Sequence, residues 1–527
     1  MPFLFVLILL VGVVIGMQVT QIQGAKPSLF ASRSEGRLDE ILNHIDWNYV
    51  DTIDTRELMD ELVAEYLDRE DVIEEIFNKL DPHSNFIPAS TFEAESENLA
   101  GNFQGIGIEF NIIRDTIQVV SPISGGPSER LGVKSGDKII MVDDSLVAGV
   151  GIGNDGVVGL LRGPKGSEGT SEVQRQGSEE LIPFSIERDN IPLFSLDVAY
   201  MVDEEVGYLK LNRFSAKTTQ EFRKGLQELT EAGAERLILD LRGNPGGYLM
   251  AATNVADEFL SGRKMIVYTE GKAKMRDEYK ARIPGLFEQG EMVILIDEGS
   301  ASASEIVAGA LQDHERALVV GRRSFGKGLV QEIYSLGDSS AIRLTVARYY
   351  TPDGRCIQRA YDNGVEAYYD DYLERLRNGG VVPDSIKEAI NYGIVPDVVV
   401  VPDTSESQLA FNQLYNSGLI TSFAYEQYAK DPSYFDQWES PMDFRDNFEL
   451  PEEGWETFRK DFASKLFMEE ALLEEIRAQA ETAIAAQFAR QHWKNDGFFP
   501  VFHELDDEFQ RAYELVKEGR KLNFEQL

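Results

Sequence analysis

MVILIDEGSASASEIVAGALQDHERALVVGRRSFGKGLVQ, residues 292–331, carries a strand, a helix and a strand in succession. MVILI is an unbroken apolar run, the pattern of a strand buried on both faces. SEIVAGALQDH spaces its apolar residues three and four apart and reads as a helix. ALVVGRRSF opens as a strand again. The alternation extends upstream through GYLKLNRF (207–214, strand), TTQEFRKGLQEL (218–229, helix), RLILDLRG (236–243, strand) and a helix near LMAATNVADEFL (249–260). Strand–helix alternation over 200–402 implies an α/β domain with a largely parallel sheet, whose sites lie at the carboxyl ends of its strands. Three unusual segments fall there: DLRGNPGG (240–247), EGSASASE (298–305) and SFGKGLVQ (324–331).

EGSASASE ends a buried strand and opens a helix. Ser302 followed by Glu305 fits the S-x-x-E capping box, which satisfies backbone donors. The same position suits a nucleophile, because the helix dipole favours developing negative charge. The two roles are compatible. Position 304 is serine, so this is not a G-x-S-x-G elbow. A nucleophilic serine needs a base. His314 lies at the far end of the same helix, where a cation near a helix C-terminus explains it. Lys327 sits between Gly326 and Gly328 after an apolar strand, and Gln331, four residues on, can aim its amine. A lysine acts as base only when neutral, and full burial lowers its pKa by up to ~3–5 units. Read alone, such a lysine is an ordinary surface charge. Gly246 and Gly247 either offer N–H groups to an oxyanion or simply form a strand-to-helix turn. GRRSFGK (321–327) also matches G-x-x-x-x-G-K, but residue 328 is glycine and LVQEIYSL reads as a strand, which argues against a phosphate loop.

Residues 104–190 form a strand-rich stretch with two short helices. At its start, Gly105, Ile106, Gly107 and Ile108 either hold a peptide carboxylate beside an open strand edge or make a glycine-rich hairpin corner. The flanks, 34–100 and 405–527, read as helical. Residues 31–100 hold 19 acidic and 5 basic side chains, residues 401–527 hold 26 and 12, and each stretch is therefore at −14. The whole chain of 527 residues is at −39, which argues against non-specific binding to nucleic acid or to an anionic membrane surface. One cysteine, Cys356, rules out an intrachain disulfide, and five scattered histidines without HExxH argue against a zinc hydrolase. FLFVLILLVGVVIGM (3–17) marks residues 1–25 as a signal peptide or membrane anchor. The expected location is therefore outside the cytoplasm, in the cell envelope or periplasm, with membrane contact only through this segment.

In order along the chain stand LDPHSNFI (80–87), FQGIGIEF (103–110), LRGPKGS (161–167), GYLKLNRF, LILDLRGNPGG, EGSASASEIVAGALQD, VVGRRSFGKGLVQ and TPDGRCIQ (351–358). With these motifs the chain resembles the carboxyl-terminal processing peptidases, serine endopeptidases of the S41 family with a PDZ domain. The resemblance implies a multidomain α+β protein. A PDZ-like β-rich module spans 104–190, an α/β (ClpP/crotonase-like) peptidase core spans 200–402, and the helical regions flank them. It implies a Ser/Lys dyad with Ser302 as nucleophile, Lys327 as base and Gln331 orienting the lysine. The oxyanion hole would use Ala303 N–H with Gly246, or in second place Gly247. Residues 105–108 would receive the substrate's C-terminal end. The expected partners are protein or peptide substrates with accessible C-termini, and self-association through the N-terminal helices is a further expectation. No metal or organic cofactor is implied. Residues 405–527 lie outside the resemblance and receive no role from it.

Overall fold

Six strands form the central sheet, in the order Leu196–Met201, Val206–Leu211, Arg236–Asp240, Glu291–Ile296, Leu318–Gly321 and Val398–Val399. The first is antiparallel to its neighbour and the rest are parallel. The computed structural model describes residues 37–518 except 56–57, 59–68, 113–114, 176–177, 179, 283, 378–391, 462 and 467. The apolar segment assigned to export, residues 34–36 and residues 519–527 lie outside the described residues.

The sheet's apolar runs are buried on both faces, as their lack of polar alternation requires. Helices Thr218–Glu231, Leu249–Asp257 and Ala303–Asp313 share one core with Leu209, Leu237, Leu239 and Ile294. The opposite face is closed from the far end of the sequence. Phe509, Ala512 and Val516 of the helix Asp507–Glu518 pack on Tyr208, Ile238, Val293 and Leu318. The terminal helices thus supply a layer of the α/β core.

A second sheet, which the alternation pattern does not announce, is centred on Ala341–Tyr350. That strand pairs with Leu329–Ser335, Met265–Glu270 and, from the N-terminal region, Asn85–Ile87. Leu329–Ser335 is the segment that a phosphate loop would have needed as a helix. N-terminal residues Ile41, Ile45, Tyr49, Ile76 and Leu80 pack on Ile342 and Leu344 of this sheet.

Residues 102–192 hold strands Ile108–Ile112, Ile117–Pro122, Lys138–Val142, Glu168–Gln174 and Ile182–Glu187 in one antiparallel path, with helices Pro127–Arg130 and Asn154–Leu161. Ile108–Ile112 is an edge strand of that path. Residues 406–502 are helical around an aromatic core of Phe423, Phe444, Trp455 and Phe458. They touch the strand-rich module where Tyr425 Oη accepts Gly136 N–H (2.6 Å) and Arg490 donates to Glu109 (2.8 Å). No helix among the described residues is long and apolar enough to cross a membrane.

Candidate active site

The three strand-end segments converge because their strands are parallel neighbours in register, Asp240 opposite Leu295 and Ile296 opposite Gly321. Ser302 is the N-cap of the helix Ala303–Asp313 with φ 54° and ψ −111°. A positive φ in a residue with a Cβ costs on the order of 1–3 kcal/mol and persists only where the surroundings enforce it. The enforcement is visible. Glu305 Oε2 accepts Ser302 N–H at 2.7 Å, the arm of the capping box that the sequence suggests.

That carboxylate has further work which the sequence does not reveal. Glu305 is fully buried. Oε2 also accepts Lys327 N–H (2.9 Å), and Oε1 accepts Gly326 N–H (2.7 Å) and Ser324 Oγ–H (2.5 Å). Burial pushes its pKa up, against four donors that favour the charge. On the carbonyl side, Tyr349 Oη lies within hydrogen-bond reach of both Ser302 O (2.9 Å) and Lys327 O, which share its single proton. The residues at 302 and 327 are therefore clamped together at both N–H and C=O. The hairpin that joins Leu329–Ser335 to Ala341–Tyr350 puts Tyr349 there, since Tyr349 N–H donates to Gly328 O (2.9 Å).

Lys327 Nζ donates to Gln331 Oε1 (3.0 Å), and Gln331 Nε2 donates to His83 O (2.6 Å). Burial, with the Arg343 guanidinium adding to it, lowers the amine to about 8 against the opposing pull of Asp81 and Glu305. His83, which sequence reasoning left unassigned, belongs to LDPHSN. Asp81 shapes that turn by accepting the N–H groups of His83 and Ser84, both at 2.9 Å. Burial first, then the nearby cations, lowers the His83 imidazole to about 3, so it adds no charge beside the lysine. His314 caps the far end of the helix and bonds Met265 O (2.6 Å).

The NPGG turn locks onto the serine segment through Asn244, whose carbonyl accepts Ala301 N–H (3.0 Å) and Ser304 Oγ–H (2.9 Å). Gly246 has φ +97°, and a Cβ there would stand 2.8 Å from Ser302 Cβ and 2.9 Å from Ala303 N. Only glycine permits that approach. Gly246 N–H, however, is already donated to Asn244 Oδ1 (2.9 Å). Gly247 is exposed, and its neighbours carry the turn's ladder bonds to Phe214. Gly246 thus serves the close packing with its N–H engaged inside the turn, and Gly247 packs on Phe214, where a Cβ would collide with the carbonyl oxygen.

The profile of Peptidase family S41 matches residues 205–369. The carboxy-terminal-processing protease of Bartonella bacilliformis is 37% identical over 328 residues, 61% of this chain and 72% of that protein. The carboxyl-terminal-processing protease of Picosynechococcus is 32% identical over 60% of this chain and 76% of that protein. The chain belongs to the carboxyl-terminal-processing proteases of peptidase family S41. It is a serine-type peptidase.

A solved photosystem II D1 C-terminal processing protease is 28% identical to this protease, covering 71% of this chain and 94% of that one, with a TM-score of 0.41. Residues 410–494 of the protease match a family of unknown function (DUF8443). In its strand-rich module, Gly107 has φ +76°. Ile106 O accepts Ser128 N–H (3.2 Å) and Ser128 Oγ–H (2.6 Å), and Gly107 O accepts Ile123 N–H (3.0 Å). Beside this loop lies a groove of about 140 Å³, lined by Phe103, Ile106, Gly107, Ile108, Phe110, Val158, Leu161 and Arg162. Gly105 bridges to Arg162 across its end. Residues 105–108 thus sit between an open strand edge and an apolar helix face.

Proposed function

We propose that the protease cleaves peptide bonds with a Ser302/Lys327 dyad. The observation that carries this reading is the shared clamp, in which one buried carboxylate and one buried phenol tie the backbone of a strained serine to the backbone of a lysine whose amine is desolvated. Ser302 Oγ attacks the scissile carbonyl while neutral Lys327 Nζ takes its proton. The amine, aimed by Gln331, returns that proton to the leaving nitrogen. It then activates the water that hydrolyses the acyl-enzyme. Ala303 N–H at the helix N-terminus and Gly247 N–H stabilise the oxyanion, with Gly246 giving the close approach.

The sign of the pH dependence follows from the base. Below its pKa the lysine is protonated and cannot accept, so kcat/KM rises about tenfold per pH unit and levels off above about 8. A pH profile on a short peptide checks this. A flat profile from pH 6 to 9 would contradict the assignment.

The module at 102–192 is read as a PDZ domain that recruits substrates by their C-termini. The tail adds a strand to the edge Ile108–Ile112 and its carboxylate meets the loop 105–108, where the carbonyls of Ile106 and Gly107 are committed elsewhere. Putting a charge into the apolar groove with Val158→Asp raises KM roughly tenfold for a protein with an apolar C-terminal residue, as losing an apolar contact does. It leaves turnover of a tailless peptide unchanged. Equal effects on both substrates would count against recruitment through this groove.

A further inference from the structure

The three catalytic segments are tied together a second time, by ions. Arg242, Glu298 and Arg322 each lie within two residues of the end of their strand. Arg322 Nε donates to both oxygens of Glu298 (2.8 and 3.0 Å), which joins the lysine segment to the serine segment. Arg242 pairs with Asp240 (2.7 Å) in the NPGG segment. The link between these two pairs comes from the C-terminal helix. Glu508 Oε2 accepts from Arg242 Nη1 (2.8 Å) and Glu508 Oε1 accepts from Arg322 Nη1. Asp506 takes Arg242 from a second side through Nη1 and Nη2 (2.8 and 2.7 Å). Among the described residues, Glu508 alone bonds both arginines. Its side chain is 11% exposed and that of Arg242 14%, so solvent and salt screen the bridge little.

We propose that Glu508 is a positioning residue for peptide-bond cleavage: by bridging Arg242 and Arg322 it sets the spacing between the loop that offers the oxyanion donors and the loop that carries the base. The proposal rests on the Ser302/Lys327 reading. It gives the terminal helix, which lies outside the motifs shared with the family, a role in turnover. The competing role, merely holding the helix down, has an internal control. The same helix is anchored independently where Lys517 Nζ and Tyr513 Oη both donate to Asp203 (2.7 Å each), away from either arginine.

The test uses full-length Glu508→Gln, Glu508→Asp, Lys517→Ala and Ser302→Ala. Each is assayed on a short tailless peptide, with kcat scaled to correctly folded protein and Tm recorded. In Glu508→Gln the amide's NH2 faces one guanidinium. A misplacement of about 1 Å costs up to ~100-fold, so kcat falls at least about tenfold while KM stays within about twofold. Glu508→Asp recovers part of that loss. Lys517→Ala loosens the other end of the helix, lowers Tm less because its ion pair with Asp203 is more exposed, and keeps kcat. The proposal is overturned if Glu508→Gln keeps wild-type kcat, or if kcat per folded molecule falls equally in Lys517→Ala. Turnover in Ser302→Ala would instead remove the dyad on which the proposal stands, whatever Glu508 does.

Discussion

Lys327→Ala and Ser302→Ala each lower kcat/KM by about three orders of magnitude or more, equivalent to about 4 kcal/mol of transition-state stabilisation. Both variants stay folded. Because the two residues act as one unit, the double variant is scarcely worse than either single one. Lysine removal also leaves a signature in stability. The folded pKa of about 8 lies below the ordinary 10.5, so between these values the unfolded chain binds more protons than the native one. By linkage, native stability then rises with pH across that window. Lys327→Met abolishes this rise while being no less stable at pH 7, since it removes a desolvated amine. Urea unfolding at pH 7, 8.5 and 10 measures both effects. A Lys327→Ala enzyme with more than a tenth of wild-type kcat/KM would refute the role of the base.

The second large effect is expected at Glu305. Glu305→Ala leaves the N–H groups of Ser302, Gly326 and Lys327 and the hydroxyl of Ser324 without their acceptor. Each buried orphan costs about 1–3 kcal/mol, so the sum approaches the 5–15 kcal/mol that holds a domain together. Glu305→Ala should lose activity and melt far below the wild type. Glu305→Gln is milder. With its amide oxygen in the Oε2 position it still serves Ser302 and Lys327 and its NH2 can donate to Ser324 Oγ, so two donors, Gly326 N–H and Ser324 Oγ–H, lose their acceptor rather than four. Thermal unfolding beside kcat/KM separates the two variants. Glu305→Ala with wild-type Tm would mean that the clamp does not carry the site.

The contrast between these predictions reflects what a linear sequence can disclose. Ser302 and Lys327 stand out as candidates at the ends of apolar runs, but read alone each has a structural explanation, a capping box and a surface charge, and the family resemblance is what singles them out. Gln331 is legible as a polar residue four positions beyond the lysine. Glu305 announces its bond to Ser302 through the capping-box spacing, but its three other donors come from residues 324–327. Tyr349 and His83 reach the site by strand pairing and by a turn from the N-terminal region, and no local pattern encodes either. That Gly246 N–H is taken by Asn244 Oδ1 depends on a side-chain torsion that composition does not fix. The parallel sheet follows from strand–helix alternation. Its cover by Asp507–Glu518 does not, because an amphipathic acidic helix looks the same whether it packs on its neighbours or on a sheet whose strands lie between residues 196 and 399.

The central claim is that Lys327, neutral near pH 8, deprotonates Ser302. The pH dependence of covalent labelling by a fluorophosphonate, with the adduct located by peptide mass mapping, tests it most directly. The account predicts a single adduct on Ser302, a labelling rate that rises to a plateau with an inflection near 8, and collapse of that rate in Lys327→Ala. An adduct on another serine, or labelling of Ser302 at an unchanged rate without the lysine, would contradict it.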